Sequence, residues 1–175
     1  VLREGARMAE RLSQWSELEE ILSREVEFVQ DDNRRTTILY RLGINQRERL
    51  LDDEKAMGYF QRALKHSPRF LPALQAMGDL YGKHGRWEDL IAMHRAEADG
   101  TSYLRDKALL LSSIAEILEQ QLGREDEAIS TYKEALEALP GDTGILQNLS
   151  RLLMKEGRYL ELASIFEGQI ESTDN

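Results

Sequence analysis

The chain contains no cysteine, which excludes a disulfide framework, a thiolate metal site and a cysteine nucleophile. Its 175 residues include only three prolines and twelve glycines. That is too few for the turns of an all-β fold, and it argues against disorder. No apolar run approaches the roughly 18 to 20 residues that a bilayer span needs. The richest stretch, Leu109 to Leu118, is broken by Ser112, Ser113 and Glu116, so membrane insertion is not expected. There is no signal peptide, and the opening Val1, with Leu2 already in helical register, reads as a piece cut from something longer. Positive charge is also short. A net charge of −9 disfavours nucleic acid as a partner, because affinity there comes mainly from cations on phosphates. The three histidines, His66, His84 and His94, include no pair at i+4 and no HExxH. No serine-centred elbow, phosphate-cradling glycine loop or dinucleotide fingerprint is present. Neither catalytic residues, nor a metal, nor a cofactor are expected.

Repetition is what the chain has instead. Ala128, Tyr132, Ala135, Leu136 and Leu139 fall on one stripe of an α-helix, which Pro140 then stops. Seventy-two residues earlier the same pattern is written as Ala56, Phe60, Ala63, Leu64 and Pro68. Sliding the whole sequence by 72 aligns residues 33–101 with residues 105–173 without a gap, pairing Leu39 with Leu111, Gly85 with Gly157 and Trp87 with Tyr159. Carried backwards, the same offset sets Trp15 under Trp87 and Leu18 under Leu90. Small-aromatic-small on one face requires another helix to approach at the two alanines and wrap the ring between them.

Each unit of 72 divides into two helical hairpins. The spacing predicts five hairpins in one domain covering residues 1–175, at about 1–30, 33–67, 70–99, 103–139 and 142–171. Leu39, Leu42 and Gly43 are expected on the inner face of a first helix. Gly85 and Gly157 are expected in the left-handed conformation just past a helix end, which glycine adopts without steric penalty. The acids Asp52–Glu54 and Glu125–Glu127 fall in first turns, where they suit the positive end of the helix dipole, so capping is expected of them rather than carboxylate chemistry. The loops are expected to be short except Asp99–Leu104, where Gly100-Thr101-Ser102 is the expected flexible joint. Trp15, Trp87 and Tyr159 share one register and are expected to be packing residues, and His94, in the place of Phe166, is expected to be packed.

Met77-Gly78-x-x-Tyr81 and the series Ala128, Tyr132, Ala135, Pro140 resemble the tetratricopeptide repeat signature, over essentially the whole chain. Departures are one extra residue before the second helix in two hairpins, and Leu18, Leu90 and Leu162 where a small residue is usual. The resemblance implies an all-α fold, an α-α superhelix or solenoid of about ten antiparallel helices. Its concave face, lined by first helices, would hold a peptide or protein. Stacking is expected on physical grounds as well, since one hairpin cannot bury its apolar stripe alone.

The resemblance carries groove-facing positions onto Arg3, Arg7, Glu10 and Arg11 in the first hairpin, and onto Thr37, Tyr40, Ile44, Arg47 and Glu48 in the second. The third supplies Pro72, Gln75, Asp79, Gly82 and Lys83; the fourth Leu109, Ser112, Glu116, Glu119 and Gln120; the last Gly144, Gln147, Arg151, Met154 and Lys155. These positions sum to about +2 on a chain of −9, so an acidic or carboxylate-bearing segment is the expected occupant, held by arginine forks. The plainer alternative is that they are solvated first-helix charges. No three consecutive hairpins supply the lysine, arginine and asparagine set with which some members of the family clamp a terminal carboxylate. The function expected is that of a non-catalytic protein-interaction scaffold. Ranked behind it are a docking array for a catalytic domain elsewhere in the parent protein and, last, an RNA-binding helical repeat. With no polar capping helix after Ile170, the outer faces of the end hairpins are expected to touch more repeats or another copy.

Overall fold

The computed structural model describes the backbone of residues 2–173 and the side chains of residues 4–168. Among these residues there are ten α-helices and no strand: α1 Leu2–Arg11, α2 Trp15–Phe28, α3 Asp32–Asn45, α4 Asp53–His66, α5 Leu71–Lys83, α6 Trp87–Gly100, α7 Leu104–Gln120, α8 Glu125–Ala138, α9 Thr143–Lys155 and α10 Tyr159–Thr173. One π-helical turn, Gln46–Leu50, continues α3. The all-α expectation holds. Two compact units divide at the Gly85 turn, inside the third expected hairpin. In the first, consecutive helices from α1 to α5 pack on one another; in the second, consecutive helices from α6 to α10 do so.

Three of the helices start at an aspartate that supplies an acceptor. Asp31 caps α3 by accepting from Arg34 N at 2.7 Å, and Asp52 caps α4 by accepting from Lys55 N at 3.0 Å. Asp142 accepts from both Gly144 N and Ile145 N at 3.0 Å at the head of α9. Such caps each contribute about 1 kcal/mol by satisfying amides the helix leaves open. The acids at Asp53–Glu54 and Glu125–Glu127 stand in first turns.

Close helix approach fixes the core of each unit. Ala56, Phe60 and Ala63 are fully buried on α4, and Ala128, Tyr132 and Ala135 on α8. Opposite Phe60 stands Gly43 of α3, so near that a Cβ built on it would overlap the ring. Ala115 of α7 holds the equivalent place and is buried in one cluster with Tyr132. The Tyr132 hydroxyl is buried with no hydrogen-bond partner, and burial raises its pKa.

The turns also repeat. Asp52 N donates to Gln46 O at 3.0 Å and Arg124 N to Leu118 O at 2.8 Å, the same six-residue closure one repeat apart. The residue before each donor is left-handed, Leu51 at φ 57° and Gly123 at φ 62°. This closure absorbs the extra residue of those two hairpins, and only the first of them passes through a π turn on the way. In the shorter turns Ser13, Gly85 and Gly157 are left-handed at 56°, 64° and 69°, so the first hairpin forms the same turn without a glycine.

Two expectations are corrected. Tyr159 does not pack; it is 65% exposed, because α10 rests on α9 and, among the described residues, no later helix covers its outer side. Its register mates Trp15 and Trp87 are half-buried. The loop expected at Asp99–Leu104 is shorter: α6 runs to Gly100, α7 starts at Leu104, and in Thr101–Tyr103 between them Tyr103 N donates to Thr101 Oγ1 at 3.2 Å.

Replacing Gly43 with Ala should destabilise the protein by about 1–3 kcal/mol through overpacking against Phe60. Tyr132→Phe should stabilise it by about 1 kcal/mol, since it removes an unsatisfied buried hydroxyl and copies the Phe60 position. Urea unfolding followed by circular dichroism reads both.

Candidate functional site

The positions carried over from the resemblance fall in both units. In the first, the Arg3 side chain lies outside the described residues. Arg7 and Arg11 are exposed on α1, and among the described residues neither has an ion-pair partner. Tyr40 is half-buried and structural in part: its ring sits 5.7 Å from Phe60 and, edge-on, 5.4 Å from Phe70. Gln75 is exposed. Arg47 pairs with Glu48 at 3.3 Å and with Asp79 of α5 at 3.5 Å. Lys83 reaches Asp53 at 2.5 Å, and His84 Nε2 reaches the same carboxylate oxygen at 2.7 Å. The Lys83 hydrogen bond, followed by that from His84, holds the Asp53 carboxyl below its ordinary pKa.

The second unit repeats the scheme with one exchange of sign. Arg151 of α9 binds Glu119 of α7 through two bonds of 2.6 and 2.8 Å. One repeat earlier the same two places are Asp79 and Arg47. Lys155 pairs with Glu125 at 3.3 Å, as Lys83 does with Asp53. Asn148 Nδ2 donates to Glu116 Oε1 at 3.4 Å. Ser112 is half-buried, and Gln147 is exposed. Four of the cations expected to face a ligand, Arg47, Lys83, Arg151 and Lys155, thus hold neighbouring helices together. This leaves Arg7 and Arg11 as the expected cations without an internal partner among the described residues.

The structure gathers Tyr40, Ile44 and Arg47 around one cavity of about 520 Å³ in the first unit. Trp15 and Leu18 of α2 form its other apolar wall, with Glu10, Arg41, Asn45, Glu48 and Arg49 completing it. Glu10 and Arg41 pair across it at 2.5 Å. The Arg49 guanidinium lies over the Trp15 ring at 4.7 Å from its centroid. Asn45, only 4% exposed, donates to Trp15 O at 2.9 Å and leaves its Oδ1 without a partner. Trp15, Asn45 and Arg49 were absent from the expected set. Their one sequence signal was the extra residue before Asp52, which the π turn accommodates while setting Arg47–Arg49 beside Trp15.

His94 is half-buried, as expected of a packed residue; burial lowers its pKa, and its Nδ1 has no partner. Burial raises the pKa of Glu97, one turn on. Among the described residues no three His, Asp or Glu side chains are grouped to hold a metal ion, and no helix is long and apolar enough to cross a membrane.

Comparison with known proteins follows the hairpin geometry. The family model described as tetratricopeptide repeat matches residues 110–144, which take in the later part of α7, all of α8 and the Pro140 turn. Tetratricopeptide repeat protein 21B of Homo sapiens is 28% identical over 122 residues, 69% of this chain and 9% of that protein, and the Mus musculus protein is 26% identical over the same span. The chain therefore spans about a tenth of the length of these curated relatives. Among solved structures, a tetratricopeptide repeat protein from Parabacteroides merdae ATCC 43184 aligns with a TM-score of 0.57 at 18% identity, covering 99% of this chain and 66% of that one. MamA (AMB-1) aligns with a TM-score of 0.54 at 18% identity, covering 99% and 91%. At such identity these likenesses show the fold class, a tetratricopeptide-like helical repeat.

The ion pairs predict an acid limb in stability. Hydrogen bonds from Arg151 hold the Glu119 pKa below its ordinary 4.5, and those from Arg158, then Lys133, bring Glu161 to about 2. Folded values that are depressed give stability that is full above about pH 4.5 and is lost as pH falls through the folded values, because the unfolded chain takes up the protons first. Urea midpoints should fall from pH 5 toward pH 2, and Arg151→Met should flatten that fall.

Proposed function

We propose that the chain, whose hairpins are similar to tetratricopeptide repeats, is a non-catalytic docking module of the protein-interaction scaffold kind. Its first-helix surface in the first unit takes an acidic segment of a partner protein. The observation that carries this is the distribution of cations. Arg47 and Lys83 are neutralised by neighbouring helices, whereas Arg7 and Arg11 stand exposed on α1 without ion partners among the described residues. Uncompensated guanidiniums on a fixed helix suit carboxylates, which they grip by paired hydrogen bonds. The overall charge of −9 makes such a local excess selective, since an acidic partner is repelled elsewhere on the chain.

Binding of labelled acidic peptides provides the test. Arg7→Glu with Arg11→Glu should weaken binding at least tenfold and reduce its salt dependence. Unchanged affinity in that double variant contradicts the assignment.

A second reading concerns the ends. Met8 is 60% exposed, while Leu80, in the same register one repeat on, is 2% exposed. Phe166, in the register of half-buried His94, is 43% exposed and Leu160 is 89% exposed. The positions of Met8 and Phe166 are covered in other repeats, so the end faces are read as surfaces for self-association. Light scattering should show mass rising with concentration, and Met8→Glu should suppress the rise. A monomer at every concentration contradicts this reading.

A further inference from the structure

The cavity beside Trp15 combines features that the docking of an acidic segment on α1 does not use. Its walls are apolar on both sides, Trp15 and Leu18 facing Tyr40 and Ile44. Its volume of about 520 Å³ exceeds what one large side chain fills, so it can admit one with room for the adjoining backbone. One wall is the π turn, an irregularity found frequently at functional sites, and Leu51 just beyond holds a left-handed backbone that a leucine rarely adopts. At the mouth Arg49 is exposed and has no carboxylate partner among the described residues; it lies over the Trp15 ring. A guanidinium is planar and carries its N–H donors around its edge, so one that rests on an aromatic face keeps those donors for an acid.

The geometry points to this cavity as an anchor site for an acidic peptide segment bearing one large apolar side chain. That side chain enters between Trp15 and Ile44, and a neighbouring carboxylate is taken by Arg49. The proposal rests on the docking reading above and gives it a point of specificity. Charge alone would bind any acidic segment, whereas the cavity selects one with leucine or phenylalanine beside its acids. Asn45 is the positioning residue: its bond to Trp15 O fixes the start of α2, and with it the ring, at the cavity edge. Charge complementarity argues for this occupant over a basic segment, because Glu10 is already matched by Arg41 and the cation left over is Arg49.

The protein labelled with 5-fluorotryptophan, its two resonances assigned through Trp87→Phe, reports directly on Trp15. The probes are short blocked peptides with a leucine between glutamates, with serine in place of that leucine, and with lysines in place of the glutamates. The leucine peptide should shift the Trp15 resonance saturably and leave Trp87 unmoved. The serine peptide should bind at least tenfold more weakly and the lysine peptide not at all. Arg49→Gln, on the exposed surface where folding is not at stake, should weaken the leucine peptide at least tenfold. Equal binding of leucine and serine peptides, or full binding by Arg49→Gln, overturns the anchor site. If the leucine peptide binds without moving Trp15 and is lost only in Arg7→Glu with Arg11→Glu, the α1 reading stands and the cavity falls. If no acidic peptide binds at all, both fall.

Discussion

Each unit depends on two helices coming close enough for an aromatic ring to be held between small residues. Phe60 reaches zero exposure only because Ala56 and Ala63 flank it on its own helix and Gly43 yields its Cβ on the facing one. In the second unit Tyr132 has the same neighbours in kind, with Ala115 where Gly43 stands. Such packing is steep in distance. A side chain one carbon larger must displace the ring, and dense interiors have few voids into which it can move. The hairpin built on that contact still has an uncovered apolar stripe, so it needs a neighbour on the chain, which is the physical reason for the repetition.

The polar surface obeys the same period. Lys83 with Asp53 recurs as Lys155 with Glu125, and Arg86 with Asp89 as Arg158 with Glu161. Arg47 with Asp79 recurs with signs exchanged, as Glu119 with Arg151. An exchange that keeps the pair while reversing its members points to helix registration as the constraint at that place, rather than the sign of either residue. Exposed pairs contribute little stability singly. They neutralise charge on the first-helix side chains, and among the described residues Arg7 and Arg11 of α1 and Arg49 are left without an ion-pair partner.

Most of the fold was legible in the sequence because its determinants are local and periodic. The 72-residue offset located the helices, and Ala56, Phe60 and Ala63 identified the contact. Gly85 and Gly157 marked left-handed turns that the backbone confirms. Ser13 was harder, since serine at that place carries no conformational signature, and Leu51 harder still. The candidate site was less legible, for two reasons. Pairing between Arg151 and Glu119 joins helices 32 residues apart, and periodicity says which face a residue occupies without saying what neutralises it. One wall of the cavity is the π turn that precedes Asp52, and the extra residue at that place is accommodated differently in the two hairpins that share it. Tyr159 shows the reverse limit: register placed it with Trp15 and Trp87, but burial needs a neighbour as well as a register.

Amide hydrogen exchange tests the central contact most directly, because it reads the stability of each helix pair separately in the native protein. The slowest amides should lie in α3 and α4 around Gly43 and Phe60, and in α7 and α8 around Ala115 and Tyr132, with α1 and α10 exchanging earliest in their units. Slowest exchange in α1 or α10, with rapid exchange at Phe60 and Tyr132, would contradict the account.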